Sequence, residues 1–143
     1  MSVTIRVSEV IDRPVAEVFR LHALEHVNNH PRWDPHMELE QVSDGPIGVG
    51  TIISRVNTHS GSPVKGTMEI VEFEPNQAMG MVIHDGRLEM IGRASYEAAS
   101  NDRTTLILNI EFPGMDESMD RSSLISEMQQ ALRNIKQFIE SDG

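Results

Sequence analysis

The chain changes hydrophobic period once, close to its end, and that change limits what it can fold into. From Thr105 to Phe112 apolar and polar residues alternate. Leu106, Leu108, Ile110 and Phe112 share one face, and Thr105, Asn109 and Glu111 share the other with Ile107. This is the period of a strand that is buried on one side and mostly wet on the other. From about Asp120 to Glu140 the spacing turns helical: Leu124, Ile125, Met128, Ala131, Leu132, Ile135, Phe138 and Ile139 form one stripe, opposite Glu127, Gln130, Arg133, Asn134, Lys136 and Gln137. Such a helix spans roughly 30 Å at 1.5 Å per residue, enough to lie across a whole curved sheet. A sheet with one apolar face and a helix with a matching stripe bury both by packing together.

Upstream, a first strand from about Val3 to Ile11 stops at Asp12, and Pro14 opens a helix where its missing N–H costs nothing. Pro31 and Pro35 then flank Trp33, which predicts short, sharply turned helices with Pro31 ending the second. Turn signals follow at Ser43-Asp44-Gly45-Pro46, His59-Ser60-Gly61-Ser62-Pro63, Glu74-Pro75-Asn76, Asp85-Gly86 and Ser100-Asn101-Asp102. These breaks separate six further extended runs. Asp85-Gly86 reads as a two-residue hairpin turn, because both positions tolerate positive φ, so neighbouring strands pair antiparallel. The predicted order is one strand, two short helices, six strands and a long helix.

At 143 residues the chain fits one domain, 1–143, able to bury roughly two thirds of its unfolded surface without staples. No repeat, low-complexity tract or linker divides it. There are 12 Lys and Arg against 22 Asp and Glu, a formal charge of −10, which repels phosphate backbones and anionic membrane surfaces and argues against nucleic acid as a partner. The absence of Cys excludes disulfides, thiolate metal sites and Cys nucleophiles, and suits a reducing compartment. With no signal-peptide pattern at the N-terminus and no run of eighteen apolar residues, the reading is a cytoplasmic protein without membrane insertion.

Four segments together carry a resemblance that covers essentially the whole chain. They are Asp12-Arg13-Pro14-Val15 leading to Val18-Phe19, then Pro31-Arg32-Trp33-Asp34-Pro35, then Gly45-Pro46-Ile47-Gly48-Val49-Gly50-Thr51 opening a strand, and the closing helix. On these the sequence resembles the START-like, or SRPBCC, superfamily, which includes birch-pollen-allergen-like proteins and the polyketide cyclase/dehydrase families. The resemblance implies an α+β helix-grip fold: a seven-stranded antiparallel sheet wrapped around a long C-terminal helix, with two short helices after strand 1. It also implies a deep cavity between sheet and helix, used across the family for lipids, sterols and polyketides. Members range from carriers to enzymes, so the fold does not choose between them.

The residues themselves narrow the choice. Nine Met is many for a chain so poor in aromatics, and Met68, Met79, Met81, Met90 and Met128 fall on strands or on the helical stripe. Any one of them fills a core gap; as a group they fit a plastic apolar cavity. If Leu106, Leu108 and Ile110 mark the concave face, Leu88, Met90, Gly92, Ala94 and Tyr96 share it by parity. Gly92 and Ala94 either leave room there or mark a bend in the sheet. Trp33 either anchors a short helix or, as the resemblance implies, stands near the cavity mouth. The residues assigned to a ligand are Trp33, Met68, Met81, Met90, Tyr96, Leu108, Met128 and Leu132.

His22, His26 and His30 recur at i, i+4 and i+8, with His36 beyond, a spacing that suits metal ligation on one continuous helix. The resemblance puts a helix break around Ala23 to Glu25, which separates His22 from the others, and no Cys completes a site. The reading is therefore a solvent-exposed, pH-sensitive histidine group and no metal. A catalytic histidine facing the cavity is the remaining alternative. Arg55 shares the parity of Ile53 and points inward toward a ligand carboxylate or enolate, or else faces solvent, depending on register. Tyr96 donates a hydrogen bond to a ligand or shows its hydroxyl to water. Glu69, between Met68 and Ile70, is an outward charge. Gly45, Gly48 and Gly50 form a hairpin device, since no helix follows to make a phosphate loop.

The preferred function is binding of a small hydrophobic molecule, lipid-like or polycyclic and polyketide-like, in a cavity that needs no cofactor. The alternative is a cyclase, dehydratase or related lyase, in which Arg55, Tyr96 or His30 moves protons. Its mark would be two ionisable side chains converging inside the pocket. A third reading is an acidic surface that docks a basic protein partner.

Overall fold

In a computed structural model, which describes residues 2–115 and 121–142, the strands and helices follow the predicted order. Strand β1 (Val3–Ile11) leads to α1 (Val15–Phe19), a π-helical turn (Arg20–Leu24) and α2 (His26–Trp33). Six strands come next: β2 (Met37–Gln41), β3 (Ile52–Asn57), β4 (Val64–Glu74), β5 (Ala78–Asp85), β6 (Leu88–Ser100) and β7 (Arg103–Phe112). Helix α3 (Arg121–Asp142) closes the described chain; Asp120, where the periodicity opens the helix, lies outside the described residues.

The seven strands form one antiparallel sheet in the order β1-β7-β6-β5-β4-β3-β2. Every neighbour after the β1–β7 pair is joined by a hairpin-type link, so the sheet is a meander whose first strand closes on its last. Register shifts at Ile70/Glu72 and Ala98/Ser100 add bulges to β4 and β6, and bulges of this kind bend and twist long strands. The 22 residues of α3 make a rod of roughly 33 Å at 1.5 Å per residue. Its stripe of Met128, Leu132, Ile135 and Ile139 is buried with Val3, Ile5, Ile53, Met68, Ile70 and Leu106 of the sheet. Ile125, at the edge of that stripe, stays 36% exposed.

Parity assigns the inward faces of β6 and β7, with two corrections: Leu88, at the start of β6, is 38% exposed, and Ile107, on the face expected to be mostly wet, is only 4% exposed because β7 lies between β1 and β6. Leu106, Leu108 and Ile110 of β7 pair with Tyr96, Ala94 and Gly92 of β6, and directly paired residues share a face. Glu69 is exposed, as its alternation requires. Two local expectations are corrected. The β5–β6 turn is Gly86-Arg87, since Asp85 already pairs with Leu88, and only Gly86 has positive φ (60°). That is the pattern of a turn with Gly at its first central position, and it leaves Asp85 at the end of β5 with its side chain buried. Pro31 does not end α2; the helix runs on to Trp33, because so short a helix loses only one internal bond to the missing N–H.

Candidate functional site

Between the concave face and the helices lies a cavity of about 220 Å³. Met68 of β4, Met79 and Met81 of β5 and Met90 of β6 supply thioethers to its wall, with Ile83, Leu108 and Ile110 beside them and Ala131 and Ile135 facing them from α3. Gly92 and Ala94 of β6 also line it. Small side chains there do leave room: a Cβ built on Gly92 meets only Ile83 Cδ1, at 3.8 Å. Ala131, near the middle of α3, both lines the cavity and keeps exposed surface.

The polar end of the cavity is built at the junction of the π-helical turn and α2. The backbone N–H of Glu25 bonds to Arg20 O at 2.9 Å, an i→i−5 closure, and Glu25 then leaves helical geometry (φ −103°, ψ 25°). Such a junction releases carbonyl groups that need new donors. Asn29 Nδ2 donates to Leu21 O at 2.9 Å and His26 Nδ1 donates to His22 O at 2.8 Å. Both side chains are buried, and the bonds they make explain how polar groups stay there.

The break therefore gathers the histidines instead of separating them. His22 and His26 have ring centroids 5.6 Å apart, and His26 and His30 4.8 Å apart. Trp33 is stacked with His22 at 5.5 Å and with His30 at 5.4 Å. The expectation of a solvent-exposed group is overturned for these three: His22 and His26 are only 4% and 3% exposed, and all three rings line the cavity. Burial, reinforced by His26, holds the His22 pKa down at about 3. Burial and the charge of Arg55 bring His26 to about 4, against the opposing effect of its bond to His22 O. His30 is likewise held well below the usual range, by burial first and then by His26 and Arg55. The three are neutral at neutral pH. His36 stands apart from them, exposed, with its ring 4.5 Å from that of His59, which contacts Asp34 at 2.8 Å.

Arg55 points inward, 7% exposed, and lines the cavity. Its charge is already matched: Nη2 donates to Asp85 Oδ2 at 2.8 Å, and Nε lies 2.7 Å from Oδ1 in a contact bent away from hydrogen-bond linearity. Asn57 Nδ2 also donates to Asp85 Oδ2, at 3.1 Å. Arg55 and Asp85 belong to strands that are not neighbours. Gly66 of β4 pairs with both, and the two side chains meet over the place where its own would stand. A Cβ there would come 2.8 Å from Asp85 Oδ1 and 1.8 Å from His84 O. Asp85 is one of the residues that sequence reasoning missed, because a residue assigned to a turn is not examined for an inward partner.

Of the residues assigned to a ligand, Trp33, Met68, Met81, Met90 and Leu108 do line the cavity, as do Arg55 and His30 among the candidates for proton transfer. Tyr96, Met128 and Leu132 do not. Met128 and Leu132 are packed in the core, while Ala131 and Ile135, on the adjoining edge of the same stripe, take the cavity side. Tyr96 sits behind the wall, its hydroxyl 2.6 Å from His22 Nδ1 and its ring edge-on to Phe19 at 5.1 Å. Burial raises its pKa far above the ordinary value, so it is a neutral phenol. Among the described residues no group of three or more His, Asp or Glu is arranged to hold a metal ion, and no helix is long and apolar enough to cross a membrane.

No protein-family model matches the sequence, and no curated protein matches it significantly. Solved structures do share its fold. The chain is similar to Ara h 8.0201 (14% identity, 99% of each chain covered, TM-score 0.79). It is similar to the di-domain ARO/CYC BexL of the BE-7585A biosynthetic pathway (22% identity, TM-score 0.77), covering 96% of this chain and 46% of that one, about half its length. It is also similar to norcoclaurine synthase from Thalictrum flavum in complex with dopamine and hydroxybenzaldehyde (12% identity, 100% and 89% covered, TM-score 0.73).

Proposed function

We propose that this chain, which has the helix-grip fold of the START-like proteins, binds a small, uncharged hydrophobic molecule between its sheet and α3. The observation that carries the reading is the cavity wall itself: four methionines on three adjacent strands, facing an open volume of about 220 Å³. Flexible thioethers adapt to a ligand's shape, and desolvation of apolar surface at about 25 cal/mol per Å² supplies the affinity. A cavity of about 150 Å³ is enough to hold benzene, so the volume here suits one or two rings rather than a sterol. The single-ring compounds named with norcoclaurine synthase belong to that size class. Charge is disfavoured in the ligand, because Arg55 is taken by Asp85 and the histidines are neutral.

The test is calorimetric titration with toluene, naphthalene, phenanthrene and cholesterol. Binding that peaks at naphthalene supports the reading, and failure to bind any of the four overturns it. A second reading, a lyase of the cyclase or dehydratase kind, is favoured by one observation: two ionisable groups, His30 of α2 and Arg55 of β3, line the same cavity. Turnover of a bound polyketide-like substrate, lost in His30→Leu with binding retained, would move the protein into that class.

A further inference from the structure

The hydrogen-bonding states of the histidine row can be read by elimination. His22 O is a carbonyl and can only accept, so the His26 Nδ1 that lies 2.8 Å from it carries a proton. His26 is neutral, which leaves its Nε2 as a lone pair. His30 Nδ1 lies 3.0 Å from that Nε2, and two lone pairs do not approach so closely without a proton between them. His30 Nδ1 is therefore the donor, and the second nitrogen of its neutral ring, Nε2, is a bare acceptor. Among the described residues it has no hydrogen-bond partner, and the ring that carries it is stacked with Trp33 and lines the cavity.

The other polar groups of the wall are differently placed. Arg55 is bound to Asp85; Arg93 and its cross-strand partner Asn109 have outward parity on β6 and β7 although both border the cavity, and Arg93 holds Glu72 through two bonds of 2.8 and 3.1 Å on the outer side. Both nitrogens of His26 are used. His22 Nε2 has no partner among the described residues either, but Nδ1 faces a tyrosine hydroxyl able to donate or accept, so its tautomer is not set. His30 alone presents an acceptor whose identity is fixed by the backbone.

We infer that His30 Nε2 selects the ligand by accepting a hydrogen bond from a single hydroxyl group, so that the natural ligand is a one- or two-ring phenol or alcohol and not a bare hydrocarbon or a carboxylate. The inference rests on the proposed binding function and names the ligand class for that site. The row His22 O, His26, His30 acts as a ratchet for the tautomer: the backbone carbonyl sets His26, His26 sets His30, and the acceptor state is fixed before any ligand arrives. Preorganisation of this kind removes an ordering cost from binding. A carboxylate would meet that lone pair with another, and among the described lining residues both arginines, Arg55 and Arg93, are already paired.

Calorimetry of the wild type and of His30→Leu with 2-naphthol and 2-methylnaphthalene tests this, together with 15N spectra of the histidine side chains. Leu keeps the cavity apolar while deleting the acceptor, so its preference for 2-naphthol over 2-methylnaphthalene should fall about fivefold relative to wild type, the worth of one net hydrogen bond. In the wild type, His30 Nε2 should give an unprotonated imidazole signal that moves with 2-naphthol and not with 2-methylnaphthalene. This readout decides the matter if the variant misfolds. If both probes bind and neither the preference nor the signal changes, the inference is overturned while the cavity reading stands. If neither probe binds, the cavity reading falls and takes this one with it. A protonated Nε2 in the free protein overturns the inference directly.

Discussion

Tyr96 and His22 meet through a 2.6 Å contact between the phenol oxygen and Nδ1, with both side chains buried and neither backbone belonging to the same layer of the fold. Tyr96 comes from the middle of the sheet and His22 from the π-helical turn, so this one contact ties the short helices to the concave face. Tyr96→Phe removes it without changing the packing with Phe19. The expected loss of stability is about 1–2 kcal/mol, the cost of leaving a buried partner unsatisfied, measured by urea denaturation. Affinity for naphthalene should be unchanged, because Tyr96 stands behind the cavity wall.

The buried histidines make stability depend on pH. A histidine kept neutral in the fold down to about pH 3 (His22) or about pH 4 (His26) takes up its proton near 6.5 when the chain unfolds. The unfolded state then binds more protons, so stability is full above pH 6.5 and is lost as pH falls toward 4. For these two groups the slope reaches about 2.7 kcal/mol per pH unit, and His30 acts in the same direction. The lowered carboxyl groups of Glu72 and Glu140 matter only below their ordinary value of 4.5. Denaturation curves at pH 7, 6 and 5 check this, and equal stability at all three would mean that the rings are solvated.

Asp85→Ala strands the Arg55 guanidinium in the interior, and removal of one partner of a buried pair costs about 3–5 kcal/mol. Replacing both, as Arg55→Met with Asp85→Leu, exchanges the pair for apolar packing and should recover most of that loss. Thermal melts of the single and double variants give the comparison. A double variant no more stable than the single would show that the strands need the charges themselves.

Gly92→Ala places a methyl group in the cavity at ordinary contact distance from Ile83. Stability should hold or rise slightly, since Ala has fewer unfolded conformations to lose than Gly. Binding of naphthalene should weaken severalfold while toluene is retained, as calorimetry would show. Unchanged naphthalene affinity would place the ligand elsewhere.

Much of this was legible in the chain. Period-two alternation assigned β7 and, by parity, the inward face of β6, including the space at Gly92 and Ala94. The helical stripe identified α3. What the stripe does not encode is which of its edges meets the sheet and which meets the cavity, so the stripe alone assigns Met128 and Leu132 to the ligand where the structure places Ala131 and Ile135. The histidines were seen at i, i+4 and i+8, but a helix break reads as separation when the backbone alone is considered. Here the break releases the His22 carbonyl, and the side chain of His26 is drawn in to satisfy it. Asp85 was lost to a one-residue error in the hairpin turn, the resolution at which turn chemistry blurs when Asp and Gly stand together.

The missing side chain of Gly66 also proofreads the sheet. Strand faces alternate with every residue, so a one-residue slip of β4 between β3 and β5 would turn Lys65 or Thr67 toward the concave side and expose Met68 and Ile70. A slip of two would set Val64 or Met68 beneath the Arg55–Asp85 fork and hold the charges apart. In one alignment alone does the gap fall between the two partners and let them close. The bridge spans three strands, and it reports on the position of a third participant that contributes nothing but its absence.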